Sequence, residues 1–418
     1  MKTSRKKSFH NLVTIFFTSL CFTIFINSSF SYDIQSRSNL LDDKFDIHNS
    51  WFPERRDDYF LDINLRNSST MKAFLESLSG NIKDDASAQS FLVDNDKTEK
   101  HVGLKLGLNI PLPSFSLFNT GVKIVLFWGS KVNYFQGIMS TEMDCGTIAL
   151  LIPAGMPKEI KDLFTCSYYK SLSPGDDLIS NMSGLSSSLK TAYSGKFFKP
   201  LLESTPYFHL YTEAKMNLGL KLSFPFREYF LFRFKIFASP EAMTKAMMSY
   251  SSLKGGIGDS SLFNPSLEAF LKGDLEIIYE KNNWKIGAEL RDFVINNIIT
   301  QDASATSKMK KAPLVQAYAR RRFTIGNIKA KTFFGFHWRS LYKIYEGLYI
   351  GSDFSIPLGQ KNHNLIFKNV FDPEYYSASI LFASSFVDIG VKAQYPLRVK
   401  SNDVKLSPLY NFHLNFHF

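Results

Sequence analysis

The chain is short of three features whose absence narrows its class. After residue 31 it has no apolar run of the about 20 residues that a membrane-spanning helix needs. It has three cysteines in 418 residues, too few for a fold held together by disulfides. No His, Cys or carboxylate spacing resembles a metal site, and no nucleophile or phosphate-loop motif occurs in its proper context. The sequence therefore predicts no enzyme, no cofactor and no bound metal.

The first 31 residues have the three parts of a secretory signal peptide. Basic residues stand at positions 2, 5, 6 and 7, and an apolar stretch covers 12–26. Small residues at 29 and 31 then occupy the −3 and −1 positions of a predicted cleavage site after residue 31. The alternative is a retained anchor, for which the apolar stretch is short. We predict a signal peptide over 1–31, followed by a polar periplasmic segment over 32–58. Removing four basic and no acidic residues lowers the formal charge from +11 to +7.

The cysteines point to one cross-link. Cys21 lies inside the predicted leader, which leaves Cys145 and Cys166 in the exported chain. An even pair in an exported protein predicts a disulfide between them. A thiolate metal site is the alternative, but the insertion that holds both cysteines contains no histidine.

The last nine residues alternate strictly between apolar and polar side chains. The apolar set is Tyr410, Phe412, Leu414, Phe416 and Phe418. A period of two predicts a strand with one apolar face and one polar face. Such a strand at a chain end is an exposed edge that aggregates unless another strand pairs with it. A closed barrel provides that partner, because its first and last strands meet.

This ending resembles the C-terminal signal that the bacterial outer-membrane assembly machinery recognises, in which alternate hydrophobic positions lead to a final aromatic residue. The resemblance implies a Gram-negative outer-membrane β-barrel of the porin or transporter class. It also implies contact with outer-membrane lipid and with the assembly machinery, and residence in the outer membrane. Oligomerisation is an open expectation for such a barrel.

Alternating segments joined by alternately short and long connections fill most of the chain from residue 59. We predict an all-β transmembrane antiparallel barrel over 59–418, with about 14 strands and long extracellular loops. Twelve to sixteen strands are compatible with the pattern. The largest interruption, 130–205, is predicted to be a loop insertion. Two roles are open for it: folding inward to narrow a pore, as a porin loop does, or lying on the outer surface.

Between the outward apolar residues lie charged ones, which a barrel points into its lumen. The basic set predicted to line the pore is Lys105, Lys123, Lys215, Lys221, Arg233, Lys235, Lys272, Arg291, Lys329, Lys331 and Lys392. Periodicity alone does not separate a barrel from a sandwich with its apolar face inward. The basic residues alternate along strands rather than clustering on a helix, so nucleic acid is not a predicted partner.

The resulting hypothesis is a porin-like channel that passes small polar solutes, with a preference for anions. Two alternatives remain open: a transporter of hydrophobic compounds, and a non-transport barrel of the cell surface or a secretion system. The fatty-acid transporter family carries a folded N-terminal plug inside the barrel. The short polar segment 32–58 predicts no such plug here.

Overall fold

The computed structural model describes residues 34–48, 60–71, 98–117, 120–139, 156–173, 176–197, 207–226, 228–248, 266–299, 312–359, 363–401 and 404–417. The predicted leader, Cys145 and Phe418 lie outside these ranges. Within the described ranges, no helix is both long enough and apolar enough to cross a membrane.

Fourteen antiparallel strands close into one barrel, which confirms the predicted fold class and strand number. Closure is made by β1 and β16, where Phe60 pairs with His417 and Ser68 with Leu409. The barrel strands are β1 (Phe60–Ser68), β2 (Glu99–Leu117), β3 (Thr120–Met139), β4 (Tyr207–Phe226), β5 (Phe230–Met248), β6 (Ser266–Lys281), β7 (Trp284–Ile299), β8 (Leu314–Ile325), β9 (Ile328–Trp338), β10 (Leu348–Pro357), β11 (Asn364–Phe371), β12 (Tyr375–Ala383), β13 (Val387–Pro396) and β16 (Leu409–His417).

The remaining elements are short. Strands β14 (Lys400–Ser401) and β15 (Val404–Lys405) form a small hairpin between β13 and β16. Helix α1 (Ile34–His48) precedes the barrel, and helices α2 (Lys158–Leu163), α3 (Cys166–Ser171) and α4 (Ser187–Tyr193) lie between β3 and β4. A 3₁₀ helix (Ile344–Gly347) precedes β10.

The strands bury polar residues and expose apolar ones, the reverse of a water-soluble protein. On β1, Asn64 and Arg66 are buried while Leu65 between them is half exposed. On β16, Asn411 and His413 are buried while Phe412 is 41% exposed. An outward apolar face is stable when lipid surrounds it, and an inward polar face is stable when other polar groups fill the lumen.

Most of the tight connections lie at the end of the barrel where β16 terminates; the three-residue β11–β12 turn lies at the opposite end. One of the connections at the β16 end is the turn at Asn282 and Asn283, which have φ angles of 50° and 66°. Asparagine tolerates this left-handed region, and two such residues form the primed turn that suits a two-residue hairpin. Most connections at the opposite end are longer, as predicted. We call the first end the periplasmic end, by the orientation usual for barrels of this kind.

The insertion begins later than the sequence pattern indicated. Strand β3 continues to Met139, which pairs with Tyr207 at the start of β4, so the connection covers 140–206 rather than 130–205. Each of these strands has 20 residues, whereas about 9–11 suffice to cross a bilayer. The β3–β4 hairpin therefore extends beyond the membrane on the outer side. The sequence pattern alone assigns this outer part of the hairpin to a loop.

The outward aromatic row on β16 motivates a prediction about assembly. We expect Phe418→Asp to reduce the amount of folded barrel in the outer membrane severely, because the assembly machinery is predicted to read the terminal aromatic. Phe418→Tyr should assemble normally and is the matched control. The measurement is the heat-modifiable band in outer-membrane fractions. A normal amount of folded Phe418→Asp protein would show that the terminal residue is not part of the signal.

Candidate functional site

The strand register places the predicted pore-lining residues on the inner face of the barrel wall. Lys105, Lys131 and Lys215 are direct cross-strand partners on β2, β3 and β4, so all three point to the same side. That side is the lumen, since Lys105 and Lys131 pair with residues of helix α1. The same register continues around the wall through Lys123, Lys221, Arg233, Lys235, Lys272, Arg291, Lys329, Lys331 and Lys392.

Acidic residues on the same wall neutralise many of these cations. Lys235 binds Asp274 at 2.8 Å, and Arg233 binds Glu276 at 3.1 Å. Lys215, Lys272 and Arg291 have carboxylate partners as well, namely Glu213, Glu241 and Glu289. The inner surface around β4 to β7 is thus a network of ion pairs. Its net charge is smaller than the row of lysines and arginines alone suggests.

Helix α1 lies inside the barrel, which corrects the expectation of a periplasmic segment over 32–58. Its side chains contact inward residues from strands on all sides of the wall. From 34 to 47 every side chain is buried except Ser36 and Asp46, which are partly buried. Five of its fifteen residues are charged. A polar helix that is buried on all faces is stable only where the surroundings supply complementary charges, and the lumen does so.

One side of α1 is fixed by a buried cluster of five charges. Arg37 binds Glu99 of β2 at 2.8 Å and Glu374 of the β11–β12 turn at 2.7 Å. Lys44, two turns further along α1, binds Glu374 and Asp372, each at 2.8 Å. The phenol of Tyr375 donates to Glu99. These contacts join the helix to β2 and to the β11–β12 turn, which are four strands apart in the barrel order.

A second group of ion pairs is centred on three aspartates of α1. Asp42 binds Arg66 and accepts from Lys131 and Asn133, each of the last two at 2.6 Å. Asp43 accepts from Arg339 at 2.7 Å, and from the Tyr342 hydroxyl. Asp46 binds Lys105 at 2.9 Å. Asp42 and Asp46 therefore compensate basic residues of β1 to β3, and Asp43 compensates Arg339 between β9 and β10.

Apolar contacts also hold helix α1 in the lumen. Ile34 and Leu41 belong to one buried cluster with Tyr211, Met243, Tyr375, Leu406 and Leu409. Ile47 belongs to another with Leu314, Phe333, Tyr349 and Val370. The Phe45 ring lies 4.1 Å from the Arg66 guanidinium carbon, a cation–π contact. The apolar inward residues in these clusters are thus used to hold α1.

The acid groups that hold α1 are shifted in opposite directions. Burial alone would raise the pKa of Asp42, but Lys131 and Arg66 outweigh it, so the pKa of Asp42 is lowered. The pKa of Glu374 is likewise lowered, because Arg37 and Lys44 outweigh burial. Burial raises the pKa of Asp43, against the attraction of Arg339.

These directions predict how docking of α1 depends on pH. Asp42 and Glu374 have lowered pKa values, so their contribution is complete above about pH 4, the ordinary carboxyl range. It is lost only as pH falls through the lowered values. The pH dependence that Asp43 contributes has the opposite sign. Because its pKa is raised in the docked state, mild acidification protonates Asp43 and favours docking. We expect α1 to stay docked from pH ~7 to ~5, measured as protection from thiol labelling of a cysteine introduced by Ser38→Cys at a fully buried position of the helix; labelling that appears within that interval would contradict the assignment.

The inner wall is more open towards the periplasmic end. Lys123 on β3 and Lys329 on β9 are exposed although both face inward, whereas Asn133 and Arg66, beside α1, are buried. The exposed lysines line a basic vestibule below the helix. Helix α1 therefore fills the lumen of the described structure, whereas the vestibule is open.

Several residues of this site were not predicted. The predicted pore lining lacked the five-charge cluster, and it lacked Asp42, Asp43, Lys131 and Arg339. One sequence signal was available: 34–48 contains neither glycine nor proline, which is compatible with a helix. Nothing in that segment reveals that its charges have partners far along the chain.

The described residues leave two other sequence predictions untested, the disulfide and the inward folding of the insertion. Cys166 is the first residue of α3, and Cys145 lies outside the described residues, so the disulfide stays a prediction. Whether the insertion folds inward also stays a prediction. Among the described side chains, no group of three His, Cys, Asp or Glu residues could hold a metal ion.

The closed strand order, the apolar outer face and the charged interior define a β-barrel of the outer-membrane class. No protein-family model matches the chain, and no curated protein matches it by sequence.

Solved structures that resemble the fold are themselves outer-membrane barrels. The transport unit of the Escherichia coli autotransporter AIDA-I is 9% identical, with 93% of this chain and 99% of that one covered and a TM-score of 0.37. A mutant of the TodX monoaromatic hydrocarbon channel is 8% identical over 87% and 91% of the two chains, with a TM-score of 0.41. A mutant of the Rh. blastica porin is 8% identical, with 86% of this chain and 99% of that one covered and a TM-score of 0.29. TM-scores this low carry no functional argument.

Proposed function

We propose that this barrel is an outer-membrane channel for small, polar, anionic solutes, and that helix α1 closes it in the conformation described. Outer-membrane lipid surrounds it and the outer-membrane assembly machinery inserts it. Transport in such a channel depends on the width of the lumen and the charge of its wall, with no bond chemistry required. Both properties are set by inward side chains and by α1.

One observation carries the proposal: a row of inward residues whose members are direct cross-strand partners. From β8 to β1 it consists of Arg322, Lys331, Asp353, Lys368, Ser379, Lys392, Asn411 and Arg66. Five of the eight are basic and one is acidic. We call it the basic row. It starts near the periplasmic turn after Ile325 and ends at Arg66, which contacts α1. Fixed positive charges along a confined path raise the local concentration of anions.

The position of α1 supports the assignment of a closed state. The side chains facing it, such as Glu99, His101 and Asn133, are at most 1% exposed. An α-helix with its side chains is about 10–12 Å wide, so it occupies much of the lumen of a barrel of this size. Solute passage requires α1 to shift or leave.

A transporter of hydrophobic compounds is the second candidate, and the presence of α1 favours it more than the sequence did. Such transporters carry an N-terminal plug, and residues 34–48 form one. The inner wall favours a channel for polar solutes instead. The path beside α1 is charged, and the apolar clusters that face the lumen pack against the helix.

Ion selectivity tests the proposed function. We expect reversal potentials of the variant lacking residues 34–48 to show preference for anions, weakening as salt rises, since the screening length falls from about 10 Å at 0.1 M to about 3 Å at 1 M. Adding Lys123→Glu and Lys329→Glu should shift the preference towards cations. The matched control is Lys281→Glu, an exposed, outward-facing position at the periplasmic end. Cation preference before these substitutions would refute an anion channel.

A further inference from the structure

Two neighbouring positions of the basic row present buried donors without partners. Lys392 on β13 is 4% exposed and Asn411 on β16 is 6% exposed. They face each other directly across the two strands. Neither the Lys392 ammonium Nζ nor the Asn411 amide Nδ2 has a hydrogen-bond partner among the described residues. A buried ammonium in this position is strongly unfavourable unless something else satisfies it.

The surrounding charges do not supply the missing partner. Lys368, also buried, lies two strands away on the same row and adds a second positive charge. The nearby carboxylates are engaged elsewhere or placed beside other cations. Asp372 binds Lys44, Asp42 binds Arg66 and Lys131, and Asp353 stands opposite Lys331 and Lys368. Positive charge is therefore in excess around Lys392.

Aromatic rings cover the two lysines on the lumenal side. The Lys392 Nζ lies 6.0 Å from the centre of the Phe45 ring of α1, and the Lys368 Nζ lies 5.2 Å from that of Phe333. A ring face attracts a cation only weakly compared with a carboxylate. The Phe45 contact also places the Lys392 ammonium inside the lumen, next to α1.

We propose that Lys392 and Asn411 form a binding site for a small oxyanion of the carboxylate or phosphate type, with Lys368 adding electrostatic attraction. An oxyanion has several acceptor oxygens, so it can accept from the ammonium and the amide together. Phe45 roofs the site from α1. This proposal rests on the proposed function, in which the transported anion would bind here on its way through the lumen. Binding of the anion can nevertheless be measured without any current.

The test is the stability of the full chain in detergent as anion concentration rises. We expect inorganic phosphate, at constant ionic strength, to raise the unfolding midpoint of the folded gel band along a saturating curve. A ligand that binds only the folded state has this effect. Chloride at equal ionic strength should give a smaller rise. Acetate compared with phosphate distinguishes a carboxylate preference from a phosphate preference.

Substitutions locate the effect. Lys392→Met should weaken the apparent phosphate affinity about tenfold or more, the usual consequence of losing a charge-assisted hydrogen bond. Without phosphate it should unfold at the same temperature as the wild type or higher, because an uncompensated buried charge has been removed. Lys392→Arg should keep binding, and Asn411→Leu should weaken it. Lys281→Met, at an exposed and outward-facing position, is the matched control.

The outcomes separate this site from the channel. A saturating phosphate effect in the full chain, together with no ion current after deletion of residues 34–48, would uphold the site and refute the proposed function. Anion-selective current without any saturating effect would refute the site alone. An equal phosphate effect in the wild type and in Lys392→Met would also overturn it, and would leave the Phe45 ring as the partner of Lys392.

Discussion

Deleting residues 34–48 will raise the conductance of the barrel in planar bilayers by at least an order of magnitude. The physical reason is that α1 occupies the lumen and ties opposite sides of the wall together through Arg37, Lys44, Asp42 and Asp43. Once the helix is absent, water can solvate the wall charges that it had paired. The barrel itself should persist, since its stability comes from the closed hydrogen-bonded sheet.

The control for this deletion is removal of α4, Ser187–Tyr193, from the insertion between β3 and β4. If α1 is the closure, loss of α4 leaves the conductance at the wild-type level. If the insertion folds inward as a porin loop does, loss of α4 raises the conductance and loss of α1 does not. Equal low currents in both variants would mean that neither element closes the lumen.

The second large effect is expected from Arg37→Met. Arg37 is the shared partner of Glu99 and Glu374, and all three side chains are at most 4% exposed. Breaking a buried ion pair by removing one partner costs about 3–5 kcal/mol, because a charge is left buried without compensation. We expect α1 to undock more often by about two to four orders of magnitude.

Thiol labelling measures this undocking. Ser38 is fully buried on α1, so a cysteine placed there by Ser38→Cys, with Cys145 and Cys166 changed to serine, reacts only when the helix undocks. The matched control adds Glu99→Gln and Glu374→Gln to Arg37→Met, which removes the uncompensated carboxylates and should recover part of the protection. Unchanged labelling in Arg37→Met would show that the cluster does not hold the helix.

The barrel could be predicted because each strand carries its own signal. On β16 the alternation of Tyr410, Phe412 and Leu414 with Asn411 and His413 depends only on which side of one strand faces lipid. Turns such as Asn282-Asn283 are equally local. The register that brings Lys105 opposite Lys131 follows once neighbouring strands pair, so the alternation within each strand predicts which of its residues share a face.

Helix α1 could not be predicted because its stability is not local. Its charges suggest a solvated tail unless Glu99, Glu374 and Arg339 are known to stand around it, and those partners lie 62, 337 and 296 residues from their counterparts in the chain. The outer part of β3 was missed for a related reason. Beyond the bilayer, lipid no longer requires an apolar outer face, so the alternation in the sequence weakens while backbone pairing with β4 continues.

The most direct test of α1 as the closure is a cross-link between the helix and the wall. Asp46→Cys and Lys105→Cys replace a partly exposed pair joined at 2.9 Å, whose loss costs little because such pairs are weak. Cys145 and Cys166 are again changed to serine. A short, reducible thiol cross-linker should join the two positions in folded protein and hold the current at the closed level under conditions that open the uncross-linked protein. Reduction should restore that opening. Failure of the two cysteines to cross-link, or full current through the linked protein, would contradict a channel closed by its own N-terminal helix.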